Sequence, residues 1–469
     1  MLRSLHARLI TGFLLAAPAA LSAQSVVVVD PAGPVRTVTE ALTRVTPGGR
    51  INVRAGTYAE PVIRVAVPVT IVGDSGAVFV GGAHEIFVVT ADDVTLRGLT
   101  LRHVEPSYVE DRAAILFDSV ANWVVEDRRL EGTFFGIYLS RSRGCRISRN
   151  VVQGTATAEM SAGNAIHLFH SREVTIDGNR VTGHRDGIYL EFAEDARVLG
   201  NESRDNLRYG LHFMFSHRCE YRDNRFLDNG AGVAVMYTRN MLMQGNTFAD
   251  NWGAASYGLL LKEIRDSRIL GNTFRENTVG MYLEGSARNE VTGNTFEANG
   301  WAVRVLADAE GNRFSRNVFL RNSFDVSTNS RSNVSTFHGN FWDHYEGYDL
   351  DHDGFGDVPF HPVRLFSLLV AQHEPSLILL RSFFVDLLDA NADTAAARLV
   401  AQLSGQNPQA PAGETFFWHP LAAAAALSVS GRTRAWAQGP ASYPDFVAAS
   451  TKPPKRGGSL TRTTAWDPP

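Results

Sequence analysis

A repeat of about 22 residues is the feature that most constrains what this chain can fold into. Of its 25 asparagines, 21 lie between Asn150 and Asn340, many of them in Gly-Asn-x-Phe units. In seven consecutive periods a short apolar segment begins at a small residue, and an asparagine follows 14 residues later. These small residues are Gly136, Ala165, Gly187, Gly210, Gly232, Gly258 and Gly280. A unit this short cannot bury its own apolar face, so it must stack on its neighbours.

Each period contains three short β segments separated by Gly, Asn, Asp and Ser, without an amphipathic helix between them. The sequence therefore predicts an all-β fold, a right-handed parallel β-helix with one coil per period. Strand alternation places Leu211 and Phe213 inside the coil, and Phe226 in its third wall. The recurrent asparagines are expected to form ladders between coils. Extra residues around 155–161 and 252–256 predict two protruding loops.

The chain outside the repeat divides into four further segments. Residues 1–23 resemble a secretory signal peptide, which predicts that the mature protein is exported. The β-helix is expected over 24–345, with a short capping helix near its start that covers the first strand edge. An Asp/Gly-rich loop (346–362) and an apolar helical segment (363–390) follow, and the latter is expected to fold back on the β-helix or to dock on a partner protein. Residues 391–469 are of low complexity, which predicts disorder.

Charge and cysteine content exclude two classes of protein. A net charge of −4 with 20% charged residues supplies no general attraction to nucleic acid. Two cysteines are too few for a disulfide scaffold. Cys145 and Cys219 share one column three coils apart, a separation of ~14 Å at ~4.8 Å per coil, beyond the ~7 Å that a disulfide allows. We therefore predict two free, buried thiols.

The outward side of the first strand in each coil is unusual for a solvated face. It carries aromatic residues, histidine and methionine where Ser, Thr, Lys and Glu would be expected. Something must cover it, whether a partner, a ligand or a loop. The residues predicted to contact a partner here are His167, Phe169, Tyr189, Leu260 and Tyr282.

Four residues of this stripe predict a copper site. Met214 and Met236 occupy one column on adjacent coils, His212 lies on the same face, and His217 follows in the next turn. Thioethers beside imidazole form a ligand set that favours Cu(I) over hard cations. The residues alone favour the alternative, in which these side chains pack under a covering loop.

The acidic segment after the repeat has the spacing of a calcium loop. Asp349, Asp351 and Asp353 alternate before a glycine, and Asp357 follows, so that carboxylates can turn inward around a hard ion. The position of the expected bidentate glutamate is occupied by Phe360. A calcium site and a bare Asp/Gly turn therefore both remain open.

Several segments together carry a family resemblance. The runs 208–217, 230–237, 257–262, 347–359 and 362–366 resemble those of the NosD family, whose members are periplasmic β-helix maturation factors of nitrous oxide reductase. The resemblance implies an accessory protein, not an enzyme. It implies work with an ABC-type permease and ATPase, and with a copper chaperone lipoprotein, in assembling the copper-sulfur centre of the reductase. It also implies that the protein binds Cu(I) transiently. With this implication, a copper site and packing under a loop become equally well supported explanations of the methionines and histidines.

A polysaccharide-active enzyme, such as a lyase or epimerase, is the competing hypothesis. That chemistry needs carboxylates and a base within one sugar's reach. On the stripe, Glu191 and Glu284 lie four coils apart, which is ~19 Å by the same rise. Lys262 beside Glu284 is interpreted as an ordinary ion pair. A structural adaptor that binds no metal is the third possibility.

Overall fold

The computed structural model describes residues 25–385, apart from positions 108, 330–334, 359, 373, 381 and 383–384. The predicted signal peptide (1–23) and the predicted disordered tail (391–469) lie outside the described residues. Across the described part the chain forms three parallel sheets that wind around one core, as predicted for a right-handed parallel β-helix. Within each sheet, every strand except the first and the last pairs with the strand one coil before it and the strand one coil after it.

The three sheets run the length of the β-helix. Sheet A consists of Val26–Val29, Gly49–Val53, Val69–Gly73, Thr95–Arg97, Val124–Glu126, Arg146–Ser148, Thr175–Asp177, Arg197–Leu199, Glu220–Arg222, Leu242–Gln244, Arg268–Leu270, Glu290–Thr292, Arg313–Ser315 and Thr336–His338. Sheet B consists of Gly56–Tyr58, Ala77–Val80, Thr100–Val104, Arg129–Thr133, Val151–Gln153, Arg180–Thr182, Glu202–Arg204, Arg225–Leu227, Thr247–Ala249, Thr273–Arg275, Thr295–Glu297, Val318–Leu320 and Phe341–Trp342. Sheet C consists of Ile63–Val65, Phe87–Val89, Ala113–Asp118, Phe135–Ser140, Ile166–Phe169, Asp186–Glu191, Tyr209–Met214, Ala231–Met236, Tyr257–Lys262, Val279–Glu284, Trp301–Val305 and Phe324–Ser327.

The core follows the predicted register. Leu211, Phe213 and Phe226 are fully buried, and Leu211 pairs with Val233 on the next coil. The phenylalanines of the Gly-Asn-x-Phe units stack on one another through sheet B, with ring centroids 4.6 to 5.5 Å apart. Cys145 and Cys219 are free and buried, as predicted, and burial raises the pKa of both thiols to about 12.

Two asparagine ladders hold the coils in register, which confirms the expectation from the repeat. In the first ladder each asparagine accepts hydrogen bonds from its predecessor and donates to its successor. Asn224 Oδ1 accepts from the backbone N and Nδ2 of Asn201 at 2.8 and 3.0 Å, and Asn224 Nδ2 donates to Asn246 Oδ1 at 2.9 Å. The same Nδ2 donates to the carbonyl of Val198. A second ladder, five residues further along each coil, runs from Asn206 to Asn322 and ends at the buried Asp325.

Short helices close the two ends of the described β-helix. The first, Val38–Arg44, begins at Thr37, whose hydroxyl accepts a hydrogen bond from Glu40 N, and buries Val38 in the core. The second, Leu365–Gln372, packs Phe366 and Val370 against Phe324 on the last coil, and the 3-10 helix Glu374–Leu379 follows it. The described part of the C-terminal segment thus folds back on the β-helix. Among the described residues, no helix has both the length and the apolarity of a membrane span.

The first asparagine ladder starts beside an arginine. Asn150 Oδ1 accepts a hydrogen bond from Arg128 N at 3.1 Å, which places Arg128 one coil before the first rung. Its side chain is buried, and none of its three guanidinium nitrogens has a hydrogen-bond partner within the described structure. Burial holds the pKa of Arg128 well below its usual value. A buried cationic group without a partner destabilises the fold.

We expect Arg128→Asn to extend the ladder by one rung and raise the free energy of unfolding by on the order of 2 kcal/mol, because an uncompensated group is replaced by a hydrogen-bonded one. Urea denaturation followed by circular dichroism measures the change. The control variant is Asn224→Ala. It leaves the side chains of its ladder partners without hydrogen bonds, so it should lower the free energy of unfolding by a similar amount. A less stable Arg128→Asn protein would show that the guanidinium has a stabilising partner.

Candidate functional site

The outward face of sheet C carries a stack of three rings on consecutive coils. His167, Tyr189 and His212 are paired in register, and their ring centroids lie 4.7 and 4.6 Å apart. All three are buried, with exposed fractions of 6%, 8% and 3%. This part of the stripe is therefore buried within the chain itself. Tyr138 and Phe135 continue the aromatic packing at one end and Tyr209 at the other.

A buried charge lies beside this stack. Asp186 is fully buried, and its carboxylate accepts two hydrogen bonds from Arg208, at 3.0 Å to Nε and 2.7 Å to Nη2. His212 Nδ1 lies 3.5 Å from Asp186 Oδ2. Burial alone would raise the pKa of Asp186, but the His212 contact and the Arg208 charge lower this pKa to about 2. His212 therefore faces a carboxylate on its Nδ1 side, while its buried Nε2 has no partner in the described structure.

The histidines of this region are held neutral. Burial, reinforced by Arg185, lowers the pKa of His167 to about 3, and burial lowers the pKa of His184 to about 4. Burial also lowers the pKa of His212 in spite of Asp186. Neither ring nitrogen of His167 has a hydrogen-bond partner among the described residues. Neutral imidazole is the form of histidine that binds a metal ion.

The four predicted copper ligands are brought together only in part. Met214 and Met236 are direct partners in sheet C, and both side chains are half-buried. His217 lies in the following turn, where burial and the Arg239 charge lower its pKa, and its buried Nδ1 has no partner in the described structure. His212 differs from the expectation, because it is buried against Asp186 and Arg208. The two thioethers, with His217 in the adjoining turn, remain as candidate ligands.

The residues predicted to contact a partner fall into two groups, buried and half-buried. His167, Tyr189 and Leu260 are buried, so in this conformation they have almost no surface to offer a partner. Phe169 and Tyr282 are half-buried, and Arg304 lies over the Tyr282 ring at 5.7 Å. For these two the partner contact stays a prediction.

A row of exposed aromatic residues next to the stripe escaped the sequence reasoning. His170, Phe192, Phe215 and Tyr237 follow the last residue of four consecutive sheet C strands, and we call them the aromatic ladder. Their rings stack at centroid distances of 4.6, 5.2 and 5.0 Å, within 16° of parallel. Their signal was present in the sequence as an aromatic residue five positions after the small residue of these four coils.

The carboxylates of the Asp/Gly-rich loop converge as a cation site requires. Oxygens of Asp349, Asp351 and Asp353 lie within 4.8 Å of one another, and Asp349 Oδ1 is buried without a hydrogen-bond partner in the described structure. Asp357 instead accepts a hydrogen bond from Leu350 N at 2.7 Å. Phe360, where a calcium loop would have glutamate, packs against Trp342.

A second acidic group closes the last coil. His344 Nδ1 lies 2.8 Å from Asp343 and 3.6 Å from the buried Asp325. Hydrogen bonding to Asp325 and Asp343 raises the pKa of His344 to about 9. The group therefore places a protonated histidine between two carboxylates.

The geometry of a polysaccharide-active site is not formed on the stripe. Glu191, Met214, Met236, Lys262 and Glu284 occupy one register column in that order, so four coils separate the two glutamates. Lys262 Nζ lies 2.9 Å from Glu284, as predicted for an ion pair. The buried Asp186 is already neutralised by Arg208.

Comparison with known proteins confirms the resemblance found in the sequence. A family described as periplasmic copper-binding protein (NosD) matches residues 151–347, which include Met214 and Met236. A Pseudomonas aeruginosa protein named probable ABC transporter binding protein NosD is 29% identical over 360 residues, covering 72% of this chain and 83% of the relative. A Stutzerimonas stutzeri protein of the same name is 26% identical over 301 residues, covering 60% of this chain and 68% of the relative. Both relatives are named as binding proteins, which supports the non-enzymatic class.

Solved structures share the fold. The Dettilon tailspike protein matches with a TM-score of 0.53 at 14% identity, covering 64% of this chain and 65% of the tailspike, just under two thirds of its length. A family 28 exopolygalacturonase from Yersinia enterocolitica matches with a TM-score of 0.51 at 10% identity, covering 69% of this chain and 79% of the enzyme. At such identities the likeness shows the parallel β-helix alone.

The buried neutral histidines predict loss of stability in mild acid. The folded-state pKa of His167 (about 3) lies below the unfolded value of about 6.5, so its contribution is complete above pH 6.5 and is lost as the pH falls toward 3. We expect His167→Phe to reduce the slope of unfolding free energy between pH 6.5 and 4 by up to about 1.4 kcal/mol per pH unit. Urea titrations at several pH values measure it, with the exposed His361→Phe as control. An unchanged slope for His167→Phe would contradict the buried, neutral state.

Proposed function

We propose that this NosD-like protein is a periplasmic accessory factor that binds copper transiently and takes part in assembling the copper-sulfur centre of nitrous oxide reductase. The observation that carries the proposal is the in-register pair Met214 and Met236, half-exposed on the outward face of sheet C within the matched region. The copper is cargo, received from one protein and passed to another. The proposed partners are an ABC-type permease and ATPase, a copper chaperone lipoprotein and the reductase.

The donor chemistry of the pair suits Cu(I). Two thioethers on adjacent coils start from backbones about 4.8 Å apart, so both sulfurs can reach one ion. A neutral imidazole from His217, whose pKa is lowered, can supply a third donor. None of these ligands carries a charge that would neutralise Cu(I), which favours release over storage.

The charged neighbours confine the site to two coils. In the same column Glu191 precedes Met214, and Lys262, paired with Glu284, follows Met236. His212 is held against Asp186 and Arg208, so we leave it out of the proposed ligand set. The copper site that we propose therefore consists of Met214, Met236 and His217.

The names of the relatives support the transporter association. Both are named as probable ABC transporter binding proteins, and the matching family is described as periplasmic. The competing polysaccharide-active enzyme has support only from fold-level likeness, which does not extend to a carboxylate pair on this stripe.

Replacing Met214 and Met236 together by leucine tests the copper site. Leucine keeps volume and apolarity, so the fold should persist while Cu(I) affinity falls by about tenfold or more, equivalent to about 1.4 kcal/mol. Anaerobic competition against a chromophoric Cu(I) chelator measures the affinity. The matched control is the same exchange at Met241 and Met243, which are buried in the core. If the variant at Met214 and Met236 binds Cu(I) as tightly as the wild type, these two residues are not copper ligands.

We further propose that Asp349, Asp351 and Asp353 bind calcium and order the loop that joins the last coil to the C-terminal helix. Three converging carboxylates and the unpartnered buried Oδ1 of Asp349 support this proposal. Asp357 would support the site indirectly, because it holds the backbone of Leu350. The non-standard position 360 limits the expected affinity, because no bidentate glutamate completes the ion's coordination.

Calcium should therefore raise the thermal midpoint of the wild-type protein and leave that of Asp351→Asn/Asp353→Asn unchanged, because amide groups bind the ion more weakly. Differential scanning fluorimetry with millimolar calcium, and with magnesium for comparison, measures the shift. The control is Asp308→Asn, an exposed aspartate in a turn outside the loop. An absence of any calcium-specific shift in the wild type would identify a bare Asp/Gly turn.

A further inference from the structure

The aromatic ladder places large rings where the backbone disfavours them. His170, Phe192, Phe215 and Tyr237 have φ values of 48°, 51°, 50° and 55°, in the left-handed region that bulky residues rarely adopt. Phe192, Phe215 and Tyr237 are nevertheless 39%, 41% and 39% exposed. A row of apolar side chains that is exposed to water at such positions marks a candidate interaction site.

The fold itself does not require aromatic residues at these positions. The same turn on neighbouring coils is occupied by Arg141, Glu263 and Gly285, which share the positive φ. The aromatic residues are confined to four consecutive coils, next to the strands that carry Phe169, Met214 and Met236. The ladder therefore borders the proposed copper site and extends across it.

Ring stacking determines what the ladder can bind. The rings lie face to face, with interplanar angles of 8°, 8° and 16°, so each inner ring has both faces against its neighbours. Sugars stack on ring faces, and those faces are occupied. The exposed edges form an apolar ridge about 14 Å long, which matches nine or ten residues of an α-helix.

Basic residues line the other side of the ladder. Arg143, Arg172, Glu194 and His217 form consecutive bridges across the next turn, and Arg239 and Arg265 continue the row. Arg143, Arg172 and Arg239 are exposed, and within the described part of the chain none of them has an ion-pair partner. The surface thus combines an apolar ridge with three unpaired arginines, in a row that Glu194 interrupts.

We propose that this surface docks the protein that exchanges copper at Met214 and Met236, through an apolar helical ridge of that protein bordered by carboxylates. The inference rests on the proposed function for the identity of the cargo. Charge complementarity to the free arginines selects an acidic partner. Glu194 and Asp195 lie along the same edge but are paired with Arg218, so they do not cancel the charge of the free arginines.

A model peptide tests the surface without a natural partner. The probe is a fluorescent 14-residue helix with leucine at positions i, i+3, i+4 and i+7 and glutamate along one flank, titrated with the full-length protein and followed by anisotropy. We expect saturable binding that weakens at least about tenfold in Phe192→Asn/Phe215→Asn and in Arg172→Glu/Arg239→Glu. Asparagine tolerates positive φ, so the first variant should fold. Trp252→Ser, which removes a 57% exposed aromatic residue from another corner, is the control.

Several results would overturn the docking surface. They are no saturable binding of the acidic peptide, equal binding of a lysine-flanked peptide, or unchanged binding by the asparagine variant. Phosphatidylglycerol vesicles that bind the wild type through the ladder, while the peptide does not, would replace the protein partner by a membrane.

Copper transfer separates this inference from the proposed function. The probe is the Cu(I)-loaded soluble domain of the proposed copper chaperone. The variant Phe192→Asn/Phe215→Asn should keep its Cu(I) affinity and acquire copper at least about tenfold more slowly. Unchanged transfer would overturn the docking role, whereas loss of Cu(I) binding only in the methionine variant supports the copper site independently. If the wild type binds the peptide but no copper, the proposed function is wrong and the surface is a general docking site.

Discussion

Every other feature of this molecule depends on the buried asparagine amide, a group that one coil alone cannot satisfy. Asn224 both donates and accepts through its side chain, and its partners Asn201 and Asn246 lie on the coils before and after it. Buried amide groups are costly unless they are hydrogen-bonded, so the coils must stack parallel and in register. In that register, residues that are one period apart in the sequence lie beside each other in a column that runs along the β-helix. The core, the ring stack, the methionine pair and the aromatic ladder are all such columns.

Periodicity made the fold predictable, because a period assigns each residue to a column and alternation assigns it to a side. These two rules alone predict that Leu211 and Phe226 lie in the core, that the asparagines form ladders, and that Cys145 and Cys219 are free. The surroundings of an outward residue do not follow from it. His212 shares a face with Met214, yet Asp186 and Arg208, from different coils, draw it into a buried charge cluster.

The aromatic ladder was missed for a related physical reason. Strand alternation applies to the pleated segments and ends where the chain turns, and Phe192 and Phe215 lie in that turn with positive φ. Propensity argues against aromatic residues there, so a search for apolar alternation passes over them. A local rule is broken on four coils in succession while the surrounding fold stays regular, a combination typical of functional positions.

The asparagine rungs have a bearing on how the coils can vary in length. Segments of 22, 23, 26 and 29 residues join successive rungs, yet the side-chain bonds between the rungs stay between 2.9 and 3.0 Å. The surplus residues are accommodated at one corner, before sheet C, where Met160 and Trp252 project into solvent. This corner is a place where chain can be added or removed without disturbing the neighbouring coils. Insertions placed there on successive coils would project from the β-helix at intervals of about 4.8 Å, because the register of the coils fixes their spacing.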